Sequence, residues 1–143
     1  MYRRAALAFA GAAALLVAGC APQAESSFDG AWLVQEIAGA SLNADERIYF
    51  SVEGDTMRGF TGCNNFTASV TQFSAVLSIS NVSEEVAECP SQAAATNEAR
   101  FLGVLPAVKR YVRHGASLEL LADSAQSDAL ITARTDNFAT PTQ

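Results

Sequence analysis

Hydrophobic and polar positions alternate along most of this chain, and one segment breaks the alternation. Ala31-Trp32-Leu33-Val34-Gln35-Glu36-Ile37 reads as a strand. Trp32, Val34 and Glu36 face one way and Leu33 and Ile37 the other, and Gly39 ends the run. Residues 47–52 alternate more clearly, with Ile48, Phe50 and Val52 on one face. Glu53-Gly54-Asp55 is a tight turn, and residues 56–60 return as the partner strand. Residues 66–72 point Phe66, Ala68 and Val70 inward, and residues 76–80 point Leu77 and Ile79 inward. From Ser91 to about Leu105 the period changes: Ala94, Phe101 and Leu105 recur at helical spacing, with Glu98 and Leu102 on a neighbouring stripe. Pro90 and Ser91 are start signals and Pro106 a stop signal, so one amphipathic helix is expected.

Strand patterning then resumes in residues 108–113, 117–122 and 129–133, with a turn at His114-Gly115 and a polar loop over 123–128. No internal repeat is present. Five strands, one helix and three strands indicate an α+β fold with a mainly antiparallel sheet. Short strands joined by tight turns close most naturally as a barrel or a strongly curled sheet.

The first twenty residues follow neither period. Arg3 and Arg4 precede a run from Ala5 to Gly19 that has no charged residue. About fifteen residues is too short to span a bilayer and matches the apolar region of a signal peptide. The run ends Leu16-Val17-Ala18-Gly19-Cys20, which resembles the bacterial lipobox: a branched apolar residue, two small residues, then cysteine. Small residues admit the chain to the signal peptidase, and the Cys20 thiol accepts a diacylglyceryl group. An ordinary secretory signal cut near Ala21 is the alternative. Residues 1–19 are therefore expected to be removed, and 20–27 to form a lipidated tether. Residues 28–135 then make one domain and 136–143 a frayed tail. Ala21 after the cysteine favours the outer membrane, by resemblance to the sorting rule of many Gram-negative lipoproteins.

Removing Arg3 and Arg4 changes 9 basic against 15 acidic side chains into 7 against 15, and the net charge from −6 to −8. Such a surface argues against nucleic acid and against electrostatic attachment to anionic lipid. Attachment then falls to the lipid on Cys20. Lys109, Arg110 and Arg113 form the only basic cluster, read as a solvated face.

Cys63 and Cys89 remain as an even pair in an oxidising compartment, and a disulfide is the simplest reading. A redox or metal pair and two free thiols are the alternatives. No CxxC spacing exists, and the only histidine is His114.

Gly30-Ala31-Trp32-Leu33-Val34, Arg47-Ile48-Tyr49-Phe50, Gly59-Phe60-Thr61-Gly62-Cys63-Asn64-Asn65-Phe66, Cys89 and Glu98-Ala99-Arg100-Phe101-Leu102 together resemble the META domain family, including the HslJ-like envelope lipoproteins. Gly62-Cys63-Asn64 with Phe66 is the most specific part. The resemblance implies an α+β domain whose mainly antiparallel, incompletely closed barrel packs against one helix. It implies an association with envelope stress and drug tolerance, without an established biochemical activity. The fold also resembles a pilot lipoprotein of type III secretion that holds a lipid chain in its barrel, which is an analogy of fold. Two features depart from the family: Glu84-Glu85-Val86-Ala87-Glu88 stands where Thr and Met usually precede the second cysteine, and Ser74-Ala75 where a Gly is usual.

Candidate chemistry is sparse. Gly62-Cys63-Asn64-Asn65 reads as a structural turn or a site, since Gly and Asn tolerate left-handed backbone. His114 lacks the partners of a triad. Glu84, Glu85 and Glu88 lack the ligand pattern of a calcium loop. Trp32, Phe50, Phe60 and Phe66 are core residues or the lining of an apolar cavity. The expected function is that of a non-enzymatic, lipid-anchored envelope domain without cofactor or metal, binding a hydrophobic ligand or an envelope protein. A structural or chaperone-like interaction module is the alternative, and a hydrolase ranks last.

Overall fold

The computed structural model describes residues 27–123 and 127–136. The signal segment, Cys20, most of the tether and all but the first residue of the tail lie outside the described residues. The strands are β1 (Gly30–Ile37), β2 (Ala40–Ser41), β3 (Tyr49–Glu53), β4 (Thr56–Phe60), β5 (Asn65–Phe73), β6 (Val76–Glu84), β7 (Arg110–His114), β8 (Ser117–Leu121) and β9 (Ala129–Thr135). Among the described residues a single α-helix, α1 (Gln92–Val104), joins β6 to β7. All pairings are antiparallel, in the order β2-β1-β3-β4-β5-β6-β7-β8-β9, and β9 returns to pair with β1. The result is the expected α+β architecture, a ring-like, incompletely closed barrel with one helix. Its loosest seam is β6–β7, where Val76↔Arg110 is the paired position.

The eight expected strands are all present. The ninth, β2, is a two-residue return onto Glu36 and Ile37, too short to show a period. Bulges explain the departures from alternation, and a slip between Leu120 and Leu121 against β9 buries both of these leucines. Between Val34 and Glu36 the register with β9 slips, so Gln35 is extra and the chain changes face. Ile37 therefore lies fully buried beside Trp32 and Val34, not on the opposite face as strict alternation demands. Another slip opposite Thr67 and Ser69 accommodates Asn81, whose φ is +51° and whose Nδ2 donates to Ser69 Oγ at 3.2 Å. Beyond it β6 continues to Glu84, past the end its apolar period suggests.

Side chains fill the interior. Tyr111, Phe28, Phe50, Phe101 and Phe66 form a continuous aromatic chain, with neighbouring ring centroids 5.5, 6.2, 6.3 and 5.4 Å apart. Trp32, Met57, Leu118, Leu120 and Ile131 complete it, each without exposed surface. Burial of each large side chain stabilises by roughly 1.5–3 kcal/mol. Phe101 carries the helix into this core. Ser91 caps α1 by accepting from Ala94 N at 3.0 Å. Pro106, with no N–H to donate, sits in the single 3-10 turn that ends the helix. Arg100 donates to Ile37 O at 2.9 Å, tying the helix to the end of β1.

Candidate functional site

Between β4 and β5 the chain turns through Thr61-Gly62-Cys63-Asn64, and this turn meets the middle of α1. Gly62 supplies the left-handed step, with φ +87°. Asn64 contributes its side chain instead of an unusual backbone. Thr61 is fully buried and Asn64 nearly so. Thr61 N donates to Asn64 O at 2.9 Å, closing the turn.

Glu98 of α1 receives the donors that the turn presents. Its Oε2 accepts from the Thr61 hydroxyl and from Asn64 N at 3.2 Å. Asn64 Nδ2 lies 3.0 Å from Oε1 and 3.1 Å from Oε2. Asn64 Oδ1 in turn accepts from Ala87 N at 2.9 Å, which binds the loop leading to Cys89. Cys63 and Cys89 are joined by a disulfide, with Cα atoms 4.9 Å apart. Cys63, Cys89 and Glu98 lie close enough to suggest a metal cluster. The bridge removes both thiolates, and the turn's donors occupy the carboxylate, so this set does not suit a metal. The arrangement clamps helix to sheet.

Of the segment singled out in the sequence, Cys63 and Asn64 join this clamp, Gly62 shapes the turn and Phe66 belongs to the core beneath it. Thr61 and Glu98 were missed as partners. Their signal was weak: a Thr beside the Gly, and a Glu on the helical stripe next to Phe101.

The other candidates separate. His114 is exposed at the β7–β8 turn. Glu84, Glu85 and Glu88 are exposed, and Glu85 accepts from Asn65 Nδ2 at 2.8 Å. Trp32, Phe50 and Phe66 are core, while Phe60 stacks on Tyr49 on the other face, 5.8 Å between centroids. The basic cluster divides too. Arg113 lies over the Trp32 ring at 5.0 Å and donates to Ser27 O and Asp29 O, fastening the entry of the chain. Lys109 is exposed and Arg110 half-buried.

A cleft of about 590 Å³ opens beside the clamp. Asn43, Asp45 and Glu46 form one wall, Pro90, Ser91, Ala94 and Asn97 the other, and Ile48, Thr61 and Gly62 also line it. Near β6–β7, Phe73 and Val76 are 83% and 51% exposed, unusual for apolar side chains this size.

A family model, the META domain, matches residues 25–137 of the sequence. No curated protein matches it. A structure solved by NMR, of a protein from Burkholderia xenovorans, is similar in fold with a TM-score of 0.61 at 18% identity. The similarity covers 76% of this chain and 83% of that one.

Proposed function

The chain belongs to the META domain family, and on that premise we propose that it is a non-enzymatic binding domain, held at a bacterial envelope membrane by lipid on Cys20, that engages an envelope protein or peptide through its outer surface. The observation that carries this reading is the filled interior. A carrier of a hydrophobic ligand needs a roomy apolar cavity, and here the aromatic chain from Tyr111 to Phe66 occupies that space. The lipobox ending at Cys20 supports the anchor. Among the described residues no helix is long and apolar enough to cross a membrane. A role in stress or drug tolerance follows from the family resemblance alone.

A second reading, a structural or chaperone-like module acting through a sheet edge, draws support from β6. It pairs with β7 at Val76, and the exposed Phe73 lies across the hairpin from Val76.

Labelling of cells with radioactive palmitate tests the anchor. The wild-type chain takes up label and stays with membranes. Cys20→Ala takes up none and is released. Continued incorporation by the variant would contradict the anchor.

A further inference from the structure

The cleft beside the clamp contains an unusual group. Asn97 is 8% exposed, and its side chain makes no hydrogen bond with any described residue. Among the described residues, no fully buried side-chain nitrogen or oxygen lacks a partner. The small exposure of Asn97 therefore includes its carboxamide, and that exposure is into the cleft it lines. A polar group this buried normally finds a partner, because leaving it without one costs stability. An amide offers both donors and an acceptor, and its natural complement is another amide.

The opposite wall specifies charge. Asp45 and Glu46 line the cleft, and no Lys, Arg or His does. Glu46 Oε2 accepts from Asn43 N at 3.1 Å and Nδ2 at 3.2 Å, which fixes that wall without neutralising it. The long-range field of an acidic chain also draws cations toward it. Ile48, Pro90 and Ala94 also line the cleft and offer apolar surface suited to methylene groups.

We propose that this cleft binds a peptide bearing an amine on a methylene stem, as a lysine residue does. The peptide amide pairs with the Asn97 carboxamide, the stem lies along Ile48, Pro90 and Ala94, and the ammonium faces Asp45 and Glu46. This deepens the reading of a surface-acting domain and rests on it, naming the chemistry its outer surface selects.

The test is a titration followed by nitrogen-15 NMR, on the chain purified from membranes in detergent. The probe is Nα-acetyl-lysine N-methylamide, and the control is Nα-acetyl-norleucine N-methylamide, which lacks the ammonium. The lysine probe is expected to shift the Asn97 side-chain resonances and to bind about tenfold more tightly than the control, the worth of one charge-assisted hydrogen bond. Asp45→Asn should remove most of that preference, and Asn97→Ala should weaken both probes. Neither side chain makes a hydrogen bond within the described residues, so both variants are expected to fold, which the dispersion of their NMR spectra checks. Unshifted Asn97 resonances, or equal binding of the two probes, would overturn the proposal. Because the readout is local to the cleft, it is independent of palmitate labelling, and either reading can fail alone.

Discussion

Asn64 and Glu98 hold each other across the junction of sheet and helix, with Asn64 Nδ2 3.0 and 3.1 Å from the two carboxylate oxygens. Thr61 and Asn64 N add their donors to the same carboxylate. Four donor contacts on one group, beside a disulfide, make this junction the place where the helix is fixed on the barrel.

Glu98→Gln keeps the shape and replaces one acceptor oxygen with a donor facing donors. The expected loss is about 2 kcal/mol, in the range for a buried hydrogen bond to a charged group. Urea denaturation measures it. An unchanged midpoint would show that the junction is held by packing alone.

The disulfide closes a loop of 26 residues in sequence separation. In the chain-entropy model such a loop is worth about 3.5 kcal/mol. Cys63→Ser should lower thermal stability by that order relative to the oxidised protein and change the reduced protein little. Equal losses in both states would mean that the cysteine contributes through packing and not through the cross-link.

Much of this architecture was legible in the sequence, because strand faces such as Ile48, Phe50 and Val52 bury one side and alternate cleanly. What escaped was what alternation does not encode. The Gln35 bulge reverses the face of Ile37, and its position depends on pairing with β9, far along the chain. The family motif pointed to Cys63 and Asn64 but not to Glu98, because the partner stands on another element 34 residues away. Asn97 carried a signal that pattern reading passed over: it precedes Phe101 by four residues, a polar residue on the stripe that faces the barrel.

Gly59 sits opposite Phe50, where a Cβ would lie 2.1 Å from Tyr49 O and 2.7 Å from Phe50 Cα. Both are main-chain atoms of β3 and cannot rotate away. Gly59→Ala should therefore separate β3 from β4 and cost about 3 kcal/mol or more, at the upper end for overpacking. A denaturation midpoint equal to wild type would contradict the tight approach of these strands.

Burial raises the Tyr111 phenol above its ordinary value, with Asp29 adding to the rise and Arg113 and the Gln72 hydrogen bond opposing it. Gln72 Nε2 donates to this hydroxyl at 2.9 Å. The folded protein thus holds this proton more firmly than the unfolded chain. Its contribution is complete below the unfolded value of about 10 and is lost as pH rises through the folded value. Stability should fall in alkali, and Tyr111→Phe should fall less steeply over the same range. Parallel curves for the two proteins would contradict the assignment.

Native mass spectrometry of the chain extracted from membranes tests the central claim most directly. The account predicts a mass beginning at Cys20 and increased by lipid, lighter by about 2 Da for the disulfide, with no bound hydrophobic molecule. A mass without lipid, or a stoichiometric hydrophobic adduct retained by the folded domain, would contradict it.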